Sequence, residues 1–165
     1  MVKGLDHLGN ERTLHLIGHV LYITLYISLI ASSIIFYNSA NLTALSYAGW
    51  IIFACGLVVL VSSSQTRRRS YRMGEAFTQS GPYAYVRHPE FLGHMLIISL
   101  ISMAQHPISV AIGLVLLSLL CIEIVEEEKR NIEKFGEVYK DYMRRVPRIN
   151  LLAGIIKSMR ERKSE

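Results

Sequence analysis

Residues 13–66 contain no Asp, Glu, Lys or Arg, and neither do residues 91–122. A water-soluble surface cannot be built from 54 consecutive uncharged residues, because a contiguous apolar patch on a soluble monomer rarely exceeds a few hundred Å². At 165 residues the chain has room for one ordinary domain, and its mean hydropathy of +0.30, with 51% hydrophobic residues, belongs to a membrane protein. The excess of 18 Lys+Arg over 13 Asp+Glu then reads as membrane topology, which excludes a nucleic-acid-binding domain as the leading idea despite a pI near 9.3.

The apolar runs predict an all-α, multi-pass bundle of about four spans. The first, 14–37, holds 24 residues, about 36 Å as a helix at ~1.5 Å per residue, against a hydrocarbon core of ~30 Å. It is too long for a secretory signal core and no small-x-small cleavage site follows, so a retained span is expected. Asn38 to Asn41 form a polar turn, and 45–62 is the second run, with Trp50 as an interfacial aromatic. Arg67, Arg68, Arg69 and Arg72 follow it directly. The third and fourth runs, 91–105 and 108–125, are both short and are parted only by His106-Pro107, which suits a tight helical hairpin. Lys3, Arg12, the arginine cluster, Arg87 and the C-terminal segment fall on one side, and the uncharged loops fall on the other. This predicts both termini in the cytoplasm, in the cell membrane if the source is prokaryotic. Cys55 and Cys121 fall inside spans without pairing logic, so no disulfide is expected.

Residues 126–165 carry 11 Lys+Arg and 8 Asp+Glu. The spacing of Ile132, Phe135, Tyr139 and Tyr142 predicts one helix over 127–143 with an apolar-aromatic stripe, read as an anchor that does no chemistry. Leu152, Ile155, Ile156 and Met159 make a second stripe beside Lys157, Arg160, Arg162 and Lys163. It suits either a helix on an anionic membrane surface or a solvated tail.

Chemistry-bearing residues gather between the second and third runs. Ser80-Gly81-Pro82-Tyr83 begins as a turn, and Arg87-His88-Pro89-Glu90-Phe91 opens the third span, with Pro89 suited to a first helical turn. Glu126, Glu127 and Glu128 end the fourth span, so a hairpin brings the two clusters together. Ionisable groups at such depth are costly and suggest function; the alternative is a structural network tethering helix ends. His15 and His19, like His88 and His94, invite a metal reading, but six histidines without repeated close pairs do not make a histidine-box oxidase, and no metal site is expected.

In order and spacing, Ser80-Gly81-Pro82-Tyr83, Arg87-His88-Pro89-x-Phe91-x-Gly93, Glu127-Glu128, Phe135-Gly136-x-x-Tyr139-x-x-Tyr142 and Val146-Pro147-Arg148 resemble the isoprenylcysteine carboxyl methyltransferases and the related membrane phospholipid methyltransferases. The resemblance implies a membrane enzyme that uses S-adenosylmethionine without a Rossmann domain, and no Gly-x-Gly-x-x-Gly occurs here. It implies a cofactor region over 75–93 and 123–148, closed by the C-terminal arm. The cofactor contacts are expected from Ala76, Phe77, Thr78, Tyr83, His88, Pro89, Glu90, Phe91 and Glu127, and a lipidic or prenylated substrate is expected to enter from the bilayer. Carboxylates suit the cofactor's ammonium and aromatic faces suit its adenine or its sulfonium. Arg87, Glu123 and Glu127 are the candidate catalytic residues.

One departure bears on the substrate. Glu123 stands where the carboxyl methyltransferases carry an Arg, and an acidic, buried side chain there would repel a carboxylate and favour an amine nucleophile. The alternative is that Glu123 pairs structurally with Arg87 or Arg130. A function of another class, a small four-span transporter or interaction protein, fits the topology but leaves the charged arm without a use.

Overall fold

The computed structural model describes the backbone of residues 2–161, and the side chains of these except 2–17, 19, 102 and 161. Among the described residues the chain is helical throughout, without strands: α1 (Val2–Ile35), α2 (Thr43–Arg72), a 3-10 turn (Gly81–Ala84), α3 (Pro89–Ile97), α4 (Leu100–Ala104), α5 (Pro107–Phe135), α6 (Glu137–Arg145) and α7 (Leu151–Glu161). The side chains of Lys3, Arg12, His15, His19, Arg162 and Lys163, invoked above, lie outside the described set.

Among the described residues two helices are long and apolar enough to cross a membrane: α2, with a mean hydropathy of 2.2, and α5, with 2.7. Only 17% and 28% of their most apolar windows are buried, and Ile51, Val58, Leu114 and Ile122 point outward. A soluble core helix hides such a window, so this exposure marks a membrane helical protein. The four-span expectation is met only in this coarser form. Of α1, the described apolar part is Val20–Ile35. The third run is broken in two, because Ile98 and Ser99 tighten to three-residue turns, with Ser99 N–H donating to Leu96 O at 3.0 Å and Ile101 N–H to Ile98 O at 3.0 Å.

α2 packs on α3 and α4, while α1 packs on α4 and α5. The α2–α3 crossing is backbone against backbone. A Cβ added to Gly56 would stand 2.9 Å from Leu96 Cβ and 3.0 Å from Gly93 O, and one added to Gly93 would meet Leu60 N at 3.0 Å. Small residues at a helix crossing are the usual basis of association where lipid competes equally for apolar surface. Buried Leu29, Ile97, Leu116 and Leu120 fill the centre. Ser109 Oγ donates to Ser32 Oγ at 2.9 Å and Ser33 Oγ to Leu100 O at 3.1 Å, binding α1 to α4 and α5 from within.

The arm departs from its predicted form. α5 runs past the glutamates to Phe135, and Gly136, at φ +59, ends it before α6 begins. That left-handed backbone suits glycine, so the continuous helix expected over 127–143 becomes two helices at an angle.

Candidate functional site

The mouth is shaped by local sequence. Gly81, at φ +57, opens the 3-10 turn against Thr66, and Pro82 fixes its first residues. The turn buries Tyr83 and Val86 and delivers Arg87 and His88 to the start of α3, where Pro89 needs no N–H partner. The arm closes over this segment. Arg87 N–H donates to Pro147 O at 2.9 Å, His88 N–H to Arg148 O at 3.2 Å, and Tyr142 Oη to Tyr83 O at 2.7 Å.

Beneath this pairing lies Glu128, 5% exposed at its side chain. Its Oε1 is 3.1 Å from Arg87 Nη1 and 3.2 Å from His88 Nε2, and Arg148 donates to both of its oxygens, from Nε at 3.1 Å and Nη2 at 2.6 Å. Burial pushes the Glu128 carboxyl up, but the Arg148 hydrogen bond and the charges of Arg87, Arg148 and His88 outweigh it and hold the group below the usual carboxylate range. His88 is held below the usual imidazole range, chiefly by burial and further by Arg87 and Arg148, against the pull of Glu128. It is therefore neutral at neutral pH.

Beside this hub opens a pocket of about 220 Å³. One wall is aromatic: Phe77 lies 5.1 Å from Phe135 and 5.4 Å from both Tyr139 and Tyr142, centroid to centroid. Tyr71 and Tyr83 complete that wall, while Arg67, Arg87, Lys134, Glu75 and Glu127 supply charge. The buried phenols of Tyr83, Tyr139 and Tyr142 are all pushed upward, first by burial. Glu127 is raised as well, by burial, with Arg67 and Arg130 opposing. Arg87 is the exceptional group. Its side chain is 8% exposed, its Nη1 lies beside Glu128 outside hydrogen-bond geometry, and neither Nε nor Nη1 has a hydrogen-bond partner. Buried donors are nearly always satisfied, and here the Glu128 carboxylate compensates the Arg87 charge from 3.1 Å without a well-aligned hydrogen bond.

A family model described as "Protein of unknown function (DUF1295)" matches residues 3–146. The chain belongs to this DUF1295 family. The family is associated with steroid 5-alpha reductase-like membrane proteins, and the match names no methyltransferase. No curated protein and no solved structure matches the chain. The matched stretch of this DUF1295 chain contains the mouth, Glu127 and Glu128, and ends two residues short of Arg148.

The residues singled out in the sequence divide into three groups. Ala76, Phe77, Thr78, Tyr83, Arg87 and Glu127 do line one pocket. His88, Pro89, Glu90 and Phe91 do not: His88 faces Glu128, Pro89 is buried, Phe91 packs on the core, and Glu90 pairs with Arg67 at 2.8 Å and accepts from Ser64 Oγ at 3.1 Å. The reason is the helical turn at Pro89, which directs these side chains into the bundle. Glu123 is the plainest correction. It is 52% exposed, bonded to Arg130 at 2.8 Å and off the pocket, because it stands a full turn of α5 before Glu127 on the same stripe. The pairing with Arg130 was the structural alternative; the expected burial is not found. Among the described residues no three His, Cys, Asp or Glu side chains cluster as a metal site.

Other pocket residues carried a signal that was read differently. Arg67 counted only as a topology charge. Phe135, Tyr139 and Tyr142 formed the stripe assigned to anchoring, and it is the chief aromatic wall. Asn131 and Lys134, one turn and two turns beyond Glu127, follow from α5 continuing as helix. Glu128 gave no sign of its role, since the adjacent Glu127 fits the same motif equally well.

Proposed function

We propose that this pocket binds S-adenosylmethionine and that the protein is a multi-pass membrane methyltransferase acting on a lipidic or prenylated substrate, with its pocket on the cytoplasmic side and four spans in the bilayer. The observation that carries the proposal is the buried Arg87 guanidinium, ion-paired with Glu128, on the same pocket as the Glu127 carboxylate, with an aromatic wall beside them. An amino-acid zwitterion offers a carboxylate to the first and an ammonium to the second, and an adenine ring offers a face to the third. At 220 Å³ the pocket is smaller than the ~300–1,000 Å³ usual for small-molecule sites, so a ligand of this size projects through its mouth or moves the arm outward.

When bound, S-adenosylmethionine supplies an electrophilic methyl on a sulfonium. The work left to the chain is orientation and exclusion of water. Arg87 donates to the carboxylate end and Glu127 accepts from the ammonium. Phe77, Tyr139 and Tyr142 stack on the flat portion, and Glu128 holds Arg87 in place from behind. The exposed position of Glu123 removes the ground for preferring an amine over a carboxylate acceptor.

Calorimetry on detergent-purified protein tests the reading. Binding of S-adenosylmethionine by the wild type, lost in both Arg87→Leu and Glu127→Gln, is expected; a folded wild type that releases no heat with the cofactor ends it. The family association supports a second reading, a reductase using NADPH, which the three pocket cations Arg67, Arg87 and Lys134 suit through its phosphates. The same titration with NADPH decides between them.

A further inference from the structure

We propose that α7 lies in the membrane interface, with Leu152, Ile156 and Met159 sunk into an anionic leaflet. The inference rests on the membrane reading and not on the cofactor.

α7 is pinned by its opposite face. Gly154 is buried, and a Cβ added there would stand 1.8 Å from Tyr85 O, so the helix backbone lies directly on the mouth. Asn150 Oδ1 accepts from Ala153 N–H at 3.0 Å and caps the helix. Lys157 Nζ donates to Arg144 O at 2.8 Å, tying α7 back to α6. With ~100° between successive residues, Leu152, Ile156 and Met159 project within roughly 40° of the direction opposite Gly154. They are 73%, 53% and 61% exposed. The docking of α7 thus uses its small-residue face and leaves three large apolar side chains pointing outward.

Its position selects the occupant. Tyr85 lies four residues before Pro89, where the chain enters the apolar bundle. Thr66 meets Gly81 and Arg67 pairs with Glu90, so the arginine end of α2 stands at the same level. From there the outward apolar faces of α2 and α5 continue along the bundle, and a lipid surface that covers them meets α7 at its edge. Arg160 on α7 and Arg145 at the end of α6 are exposed, while Arg144 is ion-paired with Asp141, which leaves the surround of the stripe basic. Apolar side chains flanked by cations match an interfacial helix on anionic lipid, where each cation near the surface adds about 1 kcal/mol.

The test places an environment-sensitive dye at position 156 through Ile156→Cys in full-length protein carrying Cys55→Ser and Cys121→Ser. A control protein carries the dye at native Cys121, exposed on α5. Both are reconstituted in nanodiscs with brominated acyl chains, made either of phosphatidylcholine alone or with roughly a third phosphatidylglycerol. Bromolipid quenching at both positions is expected, with quenching at 156 stronger in the anionic discs and the anionic preference reduced about fivefold by Arg160→Gln. Quenching at Cys121 but not at 156 overturns this proposal alone. Protection of 156 from an aqueous quencher without bromolipid quenching means that protein covers the stripe, and also overturns it. Equal quenching in the two lipid compositions removes the anionic leaflet from the proposal and overturns it as stated. Quenching at neither position overturns the membrane reading on which it stands.

Discussion

The two ends of the bundle join helices by different chemistry. At one end the loops are held by neutral groups. Gln105 Nε2 donates to Leu42 O at 2.8 Å and to Ser46 Oγ at 2.9 Å, Leu42 N–H donates to Gln105 Oε1 at 3.0 Å, and Ser39 Oγ donates to Ala104 O at 2.8 Å. At the other, one buried carboxylate takes Arg87, His88 and Arg148. Amides and hydroxyls suffice to close a turn. At the charged end the burial carries a desolvation cost that neutral bonds avoid. The difference teaches that the Glu128 hub does more than staple helices: it holds Arg87, which lines the pocket.

Removing that carboxylate gives the largest effect expected. Glu128→Ala leaves Arg87 buried without a counter-charge and frees Arg148, a loss of about 3–5 kcal/mol. It is measured as a fall in Tm in detergent together with loss of ligand binding. If Glu128→Ala costs no more than a substitution at the neutral end, the contrast between the two ends disappears.

The pH dependence of stability sharpens the same contrast. His88 has a folded pKa below its ordinary 6.5, and Glu128 one below its ordinary 4.5. Each binds fewer protons folded than unfolded, so its contribution is complete above the unfolded value and is lost as pH falls toward the folded one. Tm is expected to drop as pH falls below the ordinary imidazole value of 6.5 through His88, and further below 4.5 through Glu128. Glu127 is raised and works the other way, costing stability as pH rises through its folded value. Glu128→Gln flattens the fall below 4.5, whereas changes at Gln105 leave the profile's shape intact.

Pocket variants come next. Glu127→Gln and Arg87→Leu each remove one charge-assisted contact to the proposed zwitterion, about 1.5–3 kcal/mol or ten- to a hundredfold in Kd by calorimetry. The affinity of the wild type is expected to weaken as pH falls through the raised Glu127 value, since the protonated acid no longer attracts an ammonium.

The helical, membrane-type architecture was legible in the sequence because charge-free runs obey a long-range rule that needs no tertiary detail. The aromatic stripe and the Arg87–Glu127 neighbourhood were legible for the same reason: a hairpin joined at His106-Pro107 forces the ends of α3 and α5 together. What was hidden depends on angle. A helix start at Pro89 turns His88 and Phe91 inward, and neither residue type nor spacing reveals that rotation. Gly136 reads in sequence as one more residue of a helical pattern, although its positive φ redirects the whole arm. Glu127 and Glu128 are neighbours differing by ~100° about α5, which is enough to put one on the pocket and the other in the hub.

At the neutral end, Gln105→Ala removes three hydrogen bonds from a half-buried side chain and is expected to cost about 1–2 kcal/mol in thermal unfolding, with no change in ligand affinity. A large loss of affinity here would mean that the two ends communicate through the bundle and that their division is false.

The smallest effect is the most diagnostic. Glu123 and Glu127 stand one turn apart on α5, both acidic, and sequence alone offered either as the acid of the site. Glu123 is half-exposed and its ion pair with Arg130 is solvent-facing, so Glu123→Gln is expected to change stability by less than about 0.5 kcal/mol and leave Kd unchanged within twofold. Glu127→Gln is the matched comparison, with the same helix, the same chemistry and a single turn of displacement. A silent Glu123 beside a damaging Glu127 assigns the chemistry to the turn of α5 that meets the aromatic wall. If Glu123→Gln instead weakens binding as much as its neighbour, the ligand extends a turn farther along α5, and the pocket is only one part of a larger site.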